Sequence, residues 1–193
     1  MKFENAGAIE SQLNACFICA KPCAARPTWR CKAMMAMPVA PPVIKPLKHS
    51  TEKMGHTAAR LCIDNDLPLE LRPAASSTCE MLERIRSHLS ELAAKPVALL
   101  ISSGYRCPAL NRAIGSSDTS DHIRAMAADF RAPAFGTPLE VSQALAAAVA
   151  QLGIGQLIYE HTWIHVSTRR PDRMVNRILT VQGKDYITGV KET

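Results

Sequence analysis

No run of about 18 or more apolar residues occurs in the 193-residue chain, so no transmembrane helix and no membrane insertion are expected. The opening residues, Met1-Lys2-Phe3-Glu4-Asn5-Ala6, lack a basic start followed by an apolar core, and no secretory signal is read there. A compact block of Lys and Arg is also missing. The formal net charge of +6, from 23 basic and 17 acidic residues, therefore favours an acidic partner (nucleic acid, a membrane surface or an anionic polymer) without choosing one. A basic soluble surface accounts for it equally well. The seven cysteines are odd in number, which with no signal argues against a disulfide framework.

What is present describes a soluble globular protein, 47% hydrophobic and 21% charged. The length suffices for one domain with some chain to spare. Residues 1–47 read apart from the rest. They hold Cys16, Cys19, Cys23 and Cys31, then Met34, Met35 and Met37, then Pro38, Pro41, Pro42 and Pro46. The Pro-rich end reads as a linker without regular structure. Four thiolates can in principle bind zinc, but this spacing matches no paired CxxC knuckle, and a floppy extension is the plainer reading. His49 and His56 read as surface residues.

Residues 48–182 form the expected domain, and 183–193 a peripheral tail. A first helix is expected over about Thr78–Ala93, with Ser77 and Glu80 as a capping box and Leu82, Ile85, Leu89 and Leu92 facing the core. Val97-Ala98-Leu99-Leu100-Ile101 reads as a buried strand leading into Ser103-Gly104-Tyr105-Arg106. Pro108 opens a short helix and Gly115 follows it. Thr137-Pro138-Leu139-Glu140 opens a second helix with its own capping box, running to Gly153. Gln156–Glu160 and Trp163–Ser167 read as strands joined at His161-Thr162, although His-Thr is not a favoured hairpin pair. A two-residue turn puts Glu160 opposite Trp163 and on the same face as His165, with α-carbons about 7–8 Å from Glu160 to His165. Arg177–Val181 is one more strand.

His122 and Asp129 stand seven positions apart in Ser120-Asp121-His122-Ile123-Arg124-Ala125-Met126-Ala127-Ala128-Asp129. Two His and one carboxylate are the ligand set of a catalytic zinc site, and a further carboxylate beside it can take a proton from water. His122, Asp129, His165 and Glu160 supply all four groups. The His-x6-Asp spacing alone is a weak signal, because a helix and a turn followed by a strand both bring the pair together.

The ordered set Ser102-Ser103-Gly104-Tyr105-Arg106, Ser120-x-His122-x6-Asp129 and Trp163-Ile164-His165-Val166-Ser167 resembles the M15 family of zinc peptidases, over about residues 48–182. These include D-alanyl-D-alanine carboxypeptidases, dipeptidases and phage endolysins. The resemblance implies an α+β fold of the Hedgehog/DD-peptidase kind, with a small antiparallel sheet flanked by helices. It implies Zn²⁺ on His122, Asp129 and His165, and peptidoglycan stem peptides as substrate. Arg106 would stabilise the developing oxyanion, and Ser120 would help hold the substrate's terminal carboxylate. Tyr105 and Trp163 are the other substrate-binding candidates, Trp163 as a cleft wall.

Two departures stand out. The family usually has Gly where this chain has Ala125, and if that position needs a positive backbone angle Ala125 is strained; it also often has Gly where Cys62 stands, in a segment read as packing and one wall of the cleft. Several branches place the catalytic acid three residues before the last His, where Thr162 stands. Thr cannot serve as a base, so Glu160 is expected to replace it. A monomer is expected, with no specific nucleic-acid partner, held in the cytoplasm until released to act on the cell wall in a phage or prophage setting. Two other classes stay open: a zinc-containing module that binds cell-wall peptide or builds a phage particle without cutting, and a nucleic-acid-associated protein using the Cys-rich extension.

Overall fold

The computed structural model describes residues 58–192. The expectations for the Cys cluster, the Pro-rich linker, His49 and His56 fall outside the described residues. Among the described residues, helices α1 (Arg72–Leu92), α2 (Pro108–Ala113) and α3 (Pro138–Ala146) accompany six strands. These are β1 (Leu100–Ser103), β2 (Ala127–Arg131), β3 (Gln156–Tyr159), β4 (Ile164–Ser167), β5 (Ile178–Gln182) and β6 (Asp185–Thr188). They form one sheet in the order β1-β2-β4-β3-β5-β6. The fold is α+β, as expected, with one difference. The sheet is mixed, because β5 runs parallel to β3 while every other neighbouring pair is antiparallel. After β4 the chain crosses through residues 168–177 and lays β5 on the far side of β3. No helix among the described residues is long and apolar enough to cross a membrane.

Strand periodicity gives the sheet two faces. One carries Ile101, Ala128, Phe130, Leu157, Ile164 and Val166, all buried against α1 and α3. From α1 come Met81, Leu82, Ile85 and Leu89, and from α3 come Val141 and Leu145. Phe130 is fully enclosed, so truncating it to Ala is expected to cost about 3–5 kcal/mol. The other face carries Asp129, Ile158 and His165. A smaller apolar cluster of Leu67, Ala75, Tyr105 and Ala125 lies apart from the main core.

Local signals set most of the element ends. α1 starts at Arg72, not at Thr78. Pro73 sits in its first turn, where a missing N–H costs nothing, and Ser77 is interior, its hydroxyl donating to the Pro73 carbonyl. The expected Ser77–Glu80 box therefore does not cap this helix. At α2, Cys107 Sγ accepts the Leu110 N–H, and Gly115 follows at φ +77°. The α3 capping box forms in both directions between Thr137 and Glu140. That helix stops at Ala146 and reaches Gly153 through turns. The β3–β4 turn is the expected two-residue His161-Thr162, and the Glu160 N–H donates to the Trp163 carbonyl at 3.1 Å. His161 adopts φ +58°, and its ring reaches the Val181 carbonyl at 2.7 Å, which ties the turn to β5. The sheet also continues past residue 182. β6 is an edge strand within the stretch expected to be a peripheral tail.

Candidate metal centre and active site

His122 is held by a short turn rather than by a regular element. A 3-10 turn spans Asp121–Arg124, and Ser120 caps it by accepting the His122 N–H at 3.4 Å. Ala125 then adopts the left-handed conformation at φ +56°, which sends the chain into β2. Positive φ at this non-glycine position is the strain anticipated above. Several bonds secure the turn. Thr78 Oγ1 donates to the Ala125 carbonyl at 2.9 Å, and the Arg106 N–H donates to the His122 carbonyl at 3.2 Å. Buried Asp121 accepts from Ser167 Oγ at 2.7 Å and from Arg169 Nε at 2.5 Å, which fastens the turn to the end of β4.

Asp129 lies in β2, paired with His165 of β4, so both side chains share a face. Their ligand atoms meet that of His122. His165 Nδ1 is 2.8 Å from Asp129 Oδ1, His122 Nε2 is 3.2 Å from the same oxygen, and the two His nitrogens are 3.2 Å apart. A tetrahedral zinc ion with bonds of about 2.0–2.1 Å separates its ligand atoms by roughly 3.3 Å. The two edges at His122 match that size, and the His165–Asp129 edge is shorter by about half an ångström.

The proton inventory also fits a cation. His122 Nδ1 lies 2.6 Å from the Gly104 carbonyl, which only accepts, so Nδ1 carries the proton. In the neutral ring Nε2 then presents a lone pair toward a carboxylate oxygen, and two acceptors face each other across 3.2 Å. Burial, working against the nearby carboxylate, lowers the pKa of His122 and favours this neutral form. Burial pushes Asp129 upward, but His122 and His165 outweigh it and hold the carboxyl ionised, well below the usual range. The lone pairs of His122 Nε2 and Asp129 Oδ1 thus face each other, with the outer nitrogen of His122 fixed by a carbonyl, an arrangement that suits a divalent cation. At His165, burial is outweighed by the hydrogen bond to Asp129, which raises the pKa. His122, Asp129 and His165 could therefore hold a metal ion.

Arg106 is buried and points at Asp129. Its Nη2 lies 2.7 Å from Oδ2, and its Nε lies 2.8 Å from Ser103 Oγ. It is thus committed to the Asp129 carboxylate. Asn65 brackets its backbone, accepting the Cys107 N–H at 2.6 Å and donating to the Tyr105 carbonyl at 3.2 Å.

Glu160 follows β3 on the site face and feels Asp129, His165 and Arg106 electrostatically. Burial first, then the Asp129 charge, raises its pKa above the ordinary carboxylate value. Trp163, directly across the turn from Glu160, is 38% exposed. Tyr105 is buried in the second cluster, which gives it a packing position. Ser120 is half-buried and caps the His122 turn. His161 stays with the turn, away from the three converging ligands.

Three residues of this neighbourhood have no counterpart in the sequence reading. Asn65 and Asp121 act over separations of 40 or more residues, so no local pattern exposes them. Tyr186, 57% exposed on β6, has its phenol pKa raised by partial burial first and then by the Glu160 charge. A signal for its strand was present. Gln182 pairs with Asp185 across Gly183-Lys184, and Gly183 takes φ +64°, a two-residue hairpin with glycine at its first position.

Comparison with known proteins agrees with this geometry. A search of curated proteins finds no match to the chain. The sequence model of the family described as Peptidase M15 matches residues 48–167, a span that contains Arg106, Glu160 and all three metal-facing residues. The chain belongs to the peptidase M15 family.

Proposed function

We propose that this protein is a zinc-dependent peptidase that hydrolyses D-amino-acid-containing stem peptides of peptidoglycan. The observation that carries the reading is the convergence of His122 Nε2, Asp129 Oδ1 and His165 Nδ1 within 2.8–3.2 Å of one another, with Glu160 beside them. Zinc held there supplies Lewis acidity, polarising a carbonyl and making water a better nucleophile near neutral pH.

The chain's own residues supply the rest. Glu160 accepts the proton of the attacking water on its carboxylate and passes it to the leaving amine. Its raised pKa brings it closer to the operating pH, where a general base works best. Arg106 fixes Asp129 through Oδ2 and adds a full positive charge beside the carbonyl oxygen, where negative charge develops. Ser120, whose oxygen already accepts from the His122 N–H, still has its own O–H to donate to a substrate carboxylate. Trp163 walls the cleft against the substrate's apolar parts. The setting we favour is release of the protein to the cell wall, as by a phage or prophage.

The test is Glu160→Gln. The amide keeps size and shape but cannot take a proton. It should retain about one zinc per chain by elemental analysis and lose roughly 10²-fold or more in turnover of a D-amino-acid peptide. Near-normal turnover overturns the role of Glu160. Wild-type protein that binds zinc but cleaves nothing favours a binding module of the same fold.

A further inference from the structure

Strand register sorts the site face into rows. Asp129, His165 and Ile158 are cross-strand partners on β2, β4 and β3. Two residues along each strand, about 6.7 Å away, the same register brings Arg131, Trp163 and Glu160 side by side. Two residues the other way lie Ala127, Ser167 and Gln156. Ser167 binds Asp121, the neighbour of Ser120. Ser120 and Arg131 therefore flank the metal-facing row on opposite sides.

Arg131 is exposed, and its guanidinium makes no hydrogen bond or ion pair among the described residues. It lines a cleft of about 600 Å³ with Gly136, Thr137, Glu140, His161 and Thr162. The acid lining this cleft is Glu140, and its Oε2 accepts both the N–H and the hydroxyl of Thr137, at 2.7 and 2.9 Å. That carboxylate is engaged by the helix cap. Among the described residues Arg131 is a cation with no partner, in an open cleft, in the strand row of Glu160 and one row from Asp129 and His165. A guanidinium presents parallel donors that match a carboxylate in bidentate fashion.

We infer that Arg131 is a specificity-determining residue that binds a carboxylate of the peptide substrate. The inference rests on the peptidase reading above. A carboxylate can come from the end of the peptide or from an acidic side chain. Because Ser120 lies across the metal-facing row, the two residues would hold groups on opposite sides of the scissile bond.

The experiment uses three D-amino-acid peptides: one with both a terminal and a side-chain carboxylate, one with the terminus amidated, and one with the side chain amidated. Binding is measured by calorimetry on zinc-loaded full-length Glu160→Gln, with and without Arg131→Gln, and with Arg131→Lys to retain the charge. Arg131→Gln should weaken the diacid about 10- to 100-fold and leave one amidated peptide unaffected; that peptide names the source of the carboxylate. Arg131→Lys should fall between. Equal effects on all three peptides, no effect on any, or no binding to any overturns the inference. Wild-type cleavage of the same peptides is scored separately. Arg131-dependent binding without cleavage keeps this inference and removes the peptidase reading. Cleavage without Arg131-dependent preference does the reverse.

Discussion

Arg106 and Asp129 form a buried ion pair in which each oxygen of the carboxylate has its own task. Oδ2 takes the guanidinium at 2.7 Å, while Oδ1 faces His165 and His122. The pair fixes the rotation of the Asp129 carboxylate and leaves Oδ1 facing the two histidines.

Breaking that pair from the Arg106 side should be costly. Arg106→Ala leaves buried Asp129 and Ser103 without their donor. A loss of about 3–5 kcal/mol in urea unfolding is expected, together with a 10- to 100-fold weaker zinc affinity in a chelator competition. Unchanged zinc affinity would mean that Asp129 is oriented without Arg106.

Zinc should stabilise the folded protein. At a free concentration near 100 times its Kd, binding contributes about 2.7 kcal/mol, or several degrees in Tm. The shift should vanish with chelator and in His165→Ala, and persist in Glu160→Gln. Differential scanning calorimetry on the four samples checks this.

The two family glycine positions should behave differently. Cys62 and Ala125 both hold positive φ, at +52° and +56°. Cys62 is exposed, so Cys62→Gly relieves backbone strain at little packing cost and should stabilise by up to about 1 kcal/mol. Ala125 is fully buried, and its methyl group packs in the second core; losing about 0.8 kcal/mol of burial cancels most of the relief. Urea midpoints of the two variants provide the comparison.

The α3 cap gives the acid limb of stability a definite sign. The Thr137 N–H, then its hydroxyl, lowers the pKa of Glu140 below the ordinary 4.5. A carboxyl depressed in the folded state stabilises fully above its unfolded pKa and loses that contribution as pH falls through the folded value. The stability difference between wild type and Glu140→Gln should therefore be flat above about pH 5 and shrink below 4.5. A difference independent of pH would show that the cap holds as well with a neutral acid.

Much of the site was legible because its geometry is short-range. Parity along β4 and a two-residue turn are enough to put Glu160, Trp163 and His165 on one face, and the structure keeps that turn although His161-Thr162 is an unfavoured pair. The reason lies elsewhere in the chain, in the bond from His161 to the Val181 carbonyl. The sequence reading starts α1 about six residues late because a Ser-x-x-Glu pattern at Ser77 outweighs the proline signal at Pro73. Asn65, Asp121 and the parallel seat of β5 beside β3 depend on partners 20 to 48 residues away, which no local window contains. Arg106 could be singled out by its motif, but its bond to Asp129 could not, since position at a strand-to-helix junction does not say which acid it meets.

The most direct measurement is mass spectrometry of purified peptidoglycan after incubation with zinc-loaded protein, with and without chelator. A zinc peptidase releases new stem-peptide fragments that disappear with chelator, and their masses identify the bond. An unchanged digest from protein carrying one zinc per chain would contradict the account and leave a metal-containing fold that binds without cutting.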